Sequence, residues 1–502
     1  MYTFSSKLKT FSFILMILGL LGVGYAFFTA PSTVQEVEAI LAQQHDGHDS
    51  HAKVAHVEAT DHKEHTSTQV EEVLEKPFVA VSANDSSVIA SNVLKDTISV
   101  VSTVTTQTAQ KTTSPTASSS YETKNNVVDE HAEHQAHLEH VLHQLSNKPW
   151  AAVYVAAIFF LLVTMGVLAF YAIQIVAQAG WSPVLFRVMQ GITAYLPVGS
   201  VIFFILLVLC GLHFNHLFVW MDADVVAGDK IIRNKSGYLN FPFWIVRAAI
   251  FLIGWNLYNF YTRKFCLAQD RATDNSQFKK NFNASAILMV FFIVSESIMS
   301  WDWIMSVDPH WYSTLFGWYV FASFFVSGIT VIMLVTLYMK SINLLPHVNT
   351  SHIHDLAKFI FGISIFWTYL WFSQFMLIWY ANIPEEVTYF ITRIEDYQIP
   401  FFATIGMNFI FPVLILINTD FKRISWILVM AGIVILLGHY VDFFVMIMPA
   451  TVGDQWFIGI AEIGAVLFFL GLFIFVVFTA MAKSPLLPER NPLIEESKHF
   501  HY

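Results

Sequence analysis

The chain has 502 residues, of which 55% are hydrophobic, 16% are aromatic and only 13% are charged. A soluble domain carries about 25% charged residues, and apolar runs of about 20 residues recur along this chain, so we predict a multi-pass membrane protein. The formal net charge of −10 gives no reason to propose nucleic-acid binding. The two cysteines, Cys210 and Cys266, offer neither a disulfide framework nor a cysteine motif for zinc or an iron–sulfur cluster.

The first apolar run follows Lys7 and Lys9 and ends at Pro31. A cleaved signal peptide is the alternative interpretation of this run. Signal-peptide cleavage needs small residues, and the residues before Pro31 form a poor site of this kind, so we interpret residues 1–30 as an uncleaved transmembrane helix. Residues 31–149 are rich in Ser, Thr, Glu and His, so we predict a low-complexity, His-rich loop without a packed core of its own. Its histidines could bind metal weakly, but their spacing matches no closed zinc site.

Nine further apolar runs follow at regular intervals. We predict helices for all of them, because the bilayer admits only helices and closed barrels, and the runs do not alternate as barrel strands do. They cover residues 150–177, 192–219, 241–262, 283–305, 315–339, 356–380, 399–418, 425–449 and 455–481. With the first helix, they predict an all-α integral membrane protein of about ten transmembrane helices.

The distribution of basic residues predicts the orientation of these helices, since cytoplasmic loops are enriched in Lys and Arg. One side carries Lys7, Lys9, Arg187, Arg263, Lys264, Arg271, Lys279, Lys280, Lys340, Lys358, Lys422, Arg423, Lys483 and Arg490. The opposite loops are mostly acidic, although Lys230, Arg233 and Lys235 oppose the trend in one of them. We therefore predict that both termini and the tail, residues 483–502, are cytoplasmic and that residues 31–149 lie outside.

Ionisable residues inside the predicted spans recur at one depth, as a rise of about 1.5 Å per residue shows. Glu296 and His439 lie thirteen and fourteen residues into helices that run outward. Arg247 and Glu462 lie six and seven residues into helices that begin at the outer face. These four residues therefore share one level in the outer half of the membrane.

We expect this level to hold a polar chamber, because a charge at such depth costs about 3 kcal/mol or more and faces a bundle interior or a wet cavity. We predict that Glu296, His439 and Asp442 line one hydrogen-bonded cavity, with Arg247 and Glu462 at its margin. An ion-pair network that only fixes helix register is the alternative. Slightly nearer the outer face lie Gln374 and Asp302.

Two further groups lie near the outer face. An aromatic belt at the interface is favoured over a quinone-stacking surface for Trp301, Trp303, Trp311, Tyr312 and Trp318. The second group, His213 and His216, ends a predicted helix three residues apart. Axial haem ligation needs ligands on opposite faces of the ring, so we predict that this chain binds no haem.

Three segments resemble membrane subunits of the NrfD/PsrC group, as found in bacterial alternative complex III. They are SWDWIMSVDPHWYSTLFGWYVFASFF at 300–325, WYANIPEEVTYF at 379–390 and GHYVDFF at 438–444. The resemblance covers roughly 150–482 and excludes the His-rich loop. It implies two antiparallel four-helix bundles, at 150–305 and 306–449, with residues 1–30 and 450–482 as flanking helices.

The same resemblance implies that this chain is a subunit of a quinol:cytochrome c oxidoreductase in the bacterial inner membrane. It also implies that the subunit is not active on its own. Its expected partners are a homologous membrane subunit, an iron–sulfur subunit, c-type cytochrome subunits, lipids and, as a further candidate, a terminal oxidase. Quinol, for example menaquinol, would bind near the outer face, with His213, His216 and Gln374 in its vicinity, while this chain carries no haem or cluster itself. The working quinol site could instead belong to the homologous subunit. A secondary transporter and a purely structural scaffold stay open as alternatives.

The predicted topology can be tested with an impermeant maleimide. Ser102→Cys, in the predicted outer loop, should react in intact cells, whereas Ser484→Cys, in the predicted cytoplasmic tail, should react only after lysis. The opposite labelling pattern would reverse the orientation.

Overall fold

The computed structural model describes residues 2–42 and 121–501, with the backbone alone over 121–133. These residues form helices and no strand. Ten of the described helices are long and apolar enough to cross a membrane. The prediction of an all-α integral membrane protein with about ten transmembrane helices is therefore confirmed.

We number these helices α1 to α10 in chain order. They are Ser6–Thr29, His134–Val176, Pro183–Gly211, Phe241–Gln269, Ser276–Val307, Phe316–Ser341, Thr350–Ala381, Gln398–Leu416, Ser425–Val452 and Ile460–Met481. Helix α2 is the apolar part of a longer helix, Tyr121–Val176. Residues 121–149, which the sequence analysis assigned to the His-rich loop, therefore belong to a helix. The other His-rich stretch, 45–65, lies outside the described residues.

Residues 35–42 and 121–139 are grouped as a separate unit of the chain. Both segments are helical. The other unit contains the apolar helices from residue 140 onward together with α1.

The central helices, α2 and α6, approach each other very closely. A Cβ atom placed on Gly166 would lie 2.4 Å from the carbonyl oxygen of Phe324, and one on Gly328 would lie 2.7 Å from the backbone nitrogen of Val167. Glycine at both positions allows the two backbones to touch, as small residues do in membrane helix pairs. Both helices are buried over most of their length.

The remaining helices pack around this pair in two groups. In the first bundle, α4 packs against α3 and α5, and α2 joins α5 through a hydrogen bond from the Tyr154 hydroxyl to the Trp303 carbonyl at 2.8 Å. In the second bundle, α6 packs against α7 and α9, and α8 packs against α9. Contacts between α5 and α6 connect the two bundles.

Helices α1 and α10 form a flanking pair. A Cβ atom on Gly19 would lie 2.3 Å from the backbone nitrogen of Phe468, and one on Gly464 would lie 3.0 Å from that of Val23. The pair rests on α2 through Phe160, whose ring lies 6.4 Å from that of Phe469. The outward face of α1 is exposed.

The tail after α10 binds several loops at the end where α2 meets α3. Ser497 donates to the carbonyl of Trp181 at 2.7 Å and accepts from the nitrogen of Val184 at 3.2 Å. Its own carbonyl lies 3.0 Å from Nε2 of His352 at the start of α7. The predicted cytoplasmic tail is thus a packed strap across the bundle ends.

The flanking pair predicts unequal effects of two glycine substitutions on one helix. Gly19→Leu should lower stability by about 1–3 kcal/mol, because the side chain would overlap the α10 backbone. Gly24→Leu should change little, since no atom lies within 4 Å of its Cβ position. The melting temperature of the detergent-solubilised chain measures both. Equal melting temperatures for the two variants would contradict the packing.

Candidate functional site

The most enclosed polar group in the second bundle surrounds Asp442 of α9, whose surface is 2% exposed. Its carboxylate accepts hydrogen bonds from the Tyr319 hydroxyl, the Ser323 hydroxyl at 2.9 Å and the Trp367 indole N–H at 2.9 Å. Tyr319 and Ser323 belong to α6, and Trp367 belongs to α7. Donors from two neighbouring helices therefore replace the water that the carboxylate loses on burial.

His439, one turn before Asp442 on α9, extends this group. Its Nδ1 atom lies 2.9 Å from the Ser323 hydroxyl oxygen and 3.7 Å from Asp442 Oδ2. Because the serine hydroxyl has one hydrogen and gives it to Asp442, Nδ1 carries the imidazole hydrogen, and Nε2 is left as an acceptor. Nε2 is buried and has no hydrogen-bond partner among the described residues.

A second buried polar side chain, without a hydrogen-bond partner among the described residues, packs against α9 at the position before His439. Helix α8 widens into a π-helix over Gly406–Ile410, which contains Asn408. A Cβ atom on Gly438 would lie 2.1 Å from Oδ1 of Asn408, so this amide packs directly against α9. Neither amide atom of Asn408 bonds to a described residue. Groups of this kind usually hold ordered water in a folded protein.

One end of this polar group around Asp442 is closed by the short helix Pro384–Glu395. The buried guanidinium of Arg393 donates to the carbonyls of Tyr389 at 2.8 Å and Met446 at 3.3 Å. Gln374, Arg393 and Asp442 line a cavity of about 10 Å³, which holds roughly one water molecule. A quinone ring does not fit there unless these side chains move.

From Asp442 the buried polar side chains continue along α6, toward its C-terminal end, as a row of hydroxyl groups. Ser327 and Thr330 are fully buried and donate to carbonyls of their own helix at 2.8 Å. From Tyr319 to Thr330 the row covers eleven residues, or about 16 Å of helix.

We name Asp442, His439, Ser323, Tyr319 and Trp367 the Asp442 core.

Glu296 does not join the Asp442 core through a hydrogen bond. Its carboxylate accepts from the Ser297 hydroxyl at 3.2 Å, and the Ser300 hydroxyl lies 3.3 Å from the carboxylate and 3.0 Å from the Glu296 backbone carbonyl, all on helix α5. The predicted single network of Glu296, His439 and Asp442 therefore divides into two groups. The predicted depths could not reveal this division, because two side chains at the same depth can point toward different neighbouring helices.

Arg247 and Asp302 form a separate, closed pair in the first bundle. Nε of Arg247 lies 2.7 Å from Oδ2 of Asp302, and Nη2 lies 2.9 Å from Oδ1. The guanidinium also lies 4.0 Å from the centre of the Tyr238 ring. Arg247 is thus engaged with Asp302 rather than lying at the margin of a cavity with Glu296. This bidentate geometry suits a structural tie.

Glu462 caps a helix instead of lying deep in a span. Helix α10 begins at Ile460, five residues later than predicted, and Oε2 of Glu462 accepts from the Gly459 nitrogen at 2.8 Å. Its Oε1 atom is buried without a hydrogen-bond partner among the described residues.

His213 and His216 follow the end of α3, which stops at Gly211. Nδ1 of His213 and Nδ1 of His216 lie 3.3 and 3.1 Å from the same Asp222 carboxylate. Within the described ranges, no group of three or more His, Cys, Asp or Glu side chains is placed to hold a metal ion. In a neighbouring loop, the hydrogen bond from His310 lowers the pKa of Asp229.

The aromatic residues of this region do not form one interfacial belt. Trp303 and Trp311 are buried, at 0% and 3% exposed, whereas Tyr312 and Trp318 are exposed. Trp311 stacks on Tyr389 with ring centres 4.0 Å apart. The belt interpretation therefore suits the exposed pair, while the buried tryptophans pack within the protein.

Sequence reasoning missed several members of the site, namely Tyr319, Ser323, Trp367, Arg393 and Asn408. One signal was available for α6, where Tyr319, Ser323 and Ser327 recur every four residues and therefore share a helix face. Asn408 gave no comparable signal, because a π-helix is not visible in the sequence.

Comparison with known proteins gives no family assignment. No protein-family model matches the chain, and no curated protein sequence matches it.

The Arg247–Asp302 pair predicts a strong effect of Asp302→Asn on stability. The change would leave a buried guanidinium without its counter-ion, and breaking such a pair costs about 3–5 kcal/mol. Asp224→Asn, at an exposed carboxylate, is the matched control and should be neutral. Thermal unfolding in detergent measures both, and the double variant Arg247→Met/Asp302→Leu should recover most of the loss. An unchanged melting temperature for Asp302→Asn would contradict the structural role.

Proposed function

We propose that this chain is the proton-conducting membrane subunit of a respiratory quinol:cytochrome c oxidoreductase of the alternative complex III type. The observation that carries the proposal is the Asp442 core, in which two buried ionisable side chains are linked through one hydroxyl group. Ionisable residues inside membrane helices are rare and mark proton relays and ion pathways. The bacterial inner membrane is the location that this function requires.

The hydrogen bonds of the Asp442 core define the order of proton transfer. A proton that reaches Nε2 of His439 makes the ring cationic, and the ring then releases its Nδ1 hydrogen to the Ser323 oxygen. Ser323 in turn passes its own hydrogen to Oδ2 of Asp442. Both contacts measure 2.9 Å, within hydrogen-bonding reach, so one proton enters at His439 and one arrives at Asp442.

Other residues hold this relay in place. Trp367 and Tyr319 donate to the Asp442 carboxylate and fix its position relative to Ser323. The Asn408 amide, which packs against Gly438, has both polar atoms available for a water molecule, and we assign the water that supplies His439 to this region. Toward the inner side, the hydroxyl row of α6 provides the next polar groups.

Quinol oxidation is assigned to a partner subunit in this proposal. The cavity of about 10 Å³ beside Gln374 and Arg393 admits water-sized species rather than a quinone ring. The partners are those that the three sequence segments imply: a homologous membrane subunit, an iron–sulfur subunit and c-type cytochrome subunits. This chain then supplies the proton path and a scaffold for them.

A secondary transporter is the second candidate, because two helices are irregular near proline. Helix α3 is interrupted between Thr193 and Leu196, just before Pro197, and α8 contains the π-helix before Pro412. Broken helices form the substrate sites of many transporters. Purification of the tagged chain in mild detergent separates the candidates, since iron–sulfur and c-type cytochrome partners should accompany an oxidoreductase subunit. Purification of the chain without any redox partner would favour the transporter.

The relay predicts a specific defect for Asp442→Asn. The amide keeps the size of the side chain but cannot take up the proton, so quinol-driven proton translocation should fall by about 100-fold or more. The assay is pH-dye measurement on liposomes containing the complex, with cytochrome c as acceptor. Asp454→Asn, at an exposed carboxylate, should retain the wild-type proton yield.

Ser323→Ala provides an independent check on the same relay. It removes the link between His439 and Asp442 while leaving Asp442 two of its three donors, so the complex should assemble but translocate fewer protons. Normal proton yields in assembled Asp442→Asn and Ser323→Ala complexes would sink the proposed path.

A further inference from the structure

Two apolar grooves flank α4 on the membrane-facing surface. One lies between α3 and α4, with a volume of about 870 Å³, and the other lies between α4 and α5, with a volume of about 610 Å³. The side chains that line the first groove include Pro197, Val201, Ile205, Ile253 and Phe260. The second groove is lined by residues including Leu257, Tyr261, Ile287 and Phe291.

Both grooves have basic side chains near the same end of α4. Arg263 and Lys264 lie near one end of the first groove, one turn before Leu267, and Lys280 lies at the corresponding end of the second. None of the three forms a salt bridge with any residue that the structure describes. Arg263 makes one hydrogen bond, from Nη2 to the carbonyl of Ala480 at 3.2 Å. The charge of Lys280 also acts on the nearby Asp274 carboxylate, whereas Arg263 and Lys264 lie beside apolar walls without a salt bridge to any described residue.

The length of the first groove suits a lipid chain. Its lining reaches from Leu267 to Ala249 of α4, a rise over eighteen residues of about 27 Å. One leaflet contributes about 15 Å of hydrocarbon, so an acyl chain that starts at the basic end lies along the groove. On its floor, the amide nitrogens of Asn256 and Asn259 donate to Ser200 and Thr193 at 2.8 and 2.9 Å.

The shape of the surface favours acyl chains over a partner helix. Leu257 of α4 is 53% exposed and stands as a ridge between the two grooves. A helix is about 10–12 Å across with its side chains, so it would cover one groove and leave the other open. Separate acyl chains can occupy both grooves while one headgroup stays at the shared basic end.

We propose that this end of α4 is a specific site for an anionic phospholipid, with its phosphate bound by Arg263, Lys264 and Lys280 and its acyl chains in the two grooves. Basic pockets between membrane helices on the cytoplasmic side bind anionic headgroups in this way. Phosphate and guanidinium or ammonium groups supply the charge complementarity, and the apolar walls supply the chain contacts. The site is independent of the Asp442 core.

Native mass spectrometry of the delipidated full-length chain tests the site. The chain is titrated with phosphatidylglycerol and with phosphatidylcholine of the same acyl chains. We expect wild type to bind phosphatidylglycerol at least about tenfold more tightly than phosphatidylcholine, a difference that corresponds to about 1.4 kcal/mol. Lys264→Gln/Lys280→Gln should remove this preference. Arg271→Gln/Lys279→Gln, which loses the same charge at exposed positions outside both grooves, should keep it.

Two further variants address the grooves themselves. Ile253→Trp should fill the first groove and weaken phosphatidylglycerol binding, since Ile253 is 65% exposed and its enlargement does not disturb the core. The proposal fails if Ile253→Trp or Lys264→Gln/Lys280→Gln binds as wild type does, or if wild type does not distinguish the two lipids. It also fails if Ile253→Cys crosslinks efficiently to another polypeptide in native membranes, because a partner helix then occupies the groove.

Discussion

A carboxylate buried in a membrane helix bundle needs hydrogen-bond donors that replace the water it loses, and this constraint governs the arrangement of the buried polar residues. The protein meets it in three ways. Asp302 receives a bidentate guanidinium from Arg247, and Asp442 receives three neutral donors from α6 and α7. Glu296 uses two serines of its own helix. Helix positions follow from these bonds, because each bond to another helix fixes a rotation as well as a depth.

The three solutions differ in what they allow chemically. The charges of Arg247 and Asp302 cancel, and their geometry is saturated, so this pair ties α4 to α5. The Asp442 core has no neutralising guanidinium in hydrogen-bonding contact and keeps an acceptor atom, Nε2 of His439, without a described partner. A group that can still accept a proton is suited to transfer, whereas a saturated ion pair is suited to stability. We therefore propose that proton transfer belongs to the second bundle and that the Arg247–Asp302 pair stabilises the first.

The sequence predicted the parts of the structure that depend on composition and length. Apolar runs located the ten helices, and the count of residues from a helix end placed Arg247 and His439 at buried positions. Depth alone could not separate Glu296 from Asp442, since the side chain directions depend on helix rotation. It also placed Glu462 too deep, because α10 begins at Ile460 rather than at the predicted residue 455. Ser323 and Trp367 were missed because hydroxyl and indole groups are common in membrane helices, and only tertiary packing turns them toward a carboxylate.

The central claim is that Asp442 is the proton-exchanging carboxyl group of the second bundle while Asp302 is a fixed counter-ion. Infrared difference spectroscopy of the full-length chain between low and high pH tests this most directly, since protonated and ionised carboxyl groups absorb at different frequencies. We predict a titrating carboxyl band that disappears in Asp442→Asn and persists in Arg247→Met/Asp302→Leu. A band that persists in Asp442→Asn but disappears when Asp302 is replaced would contradict the claim.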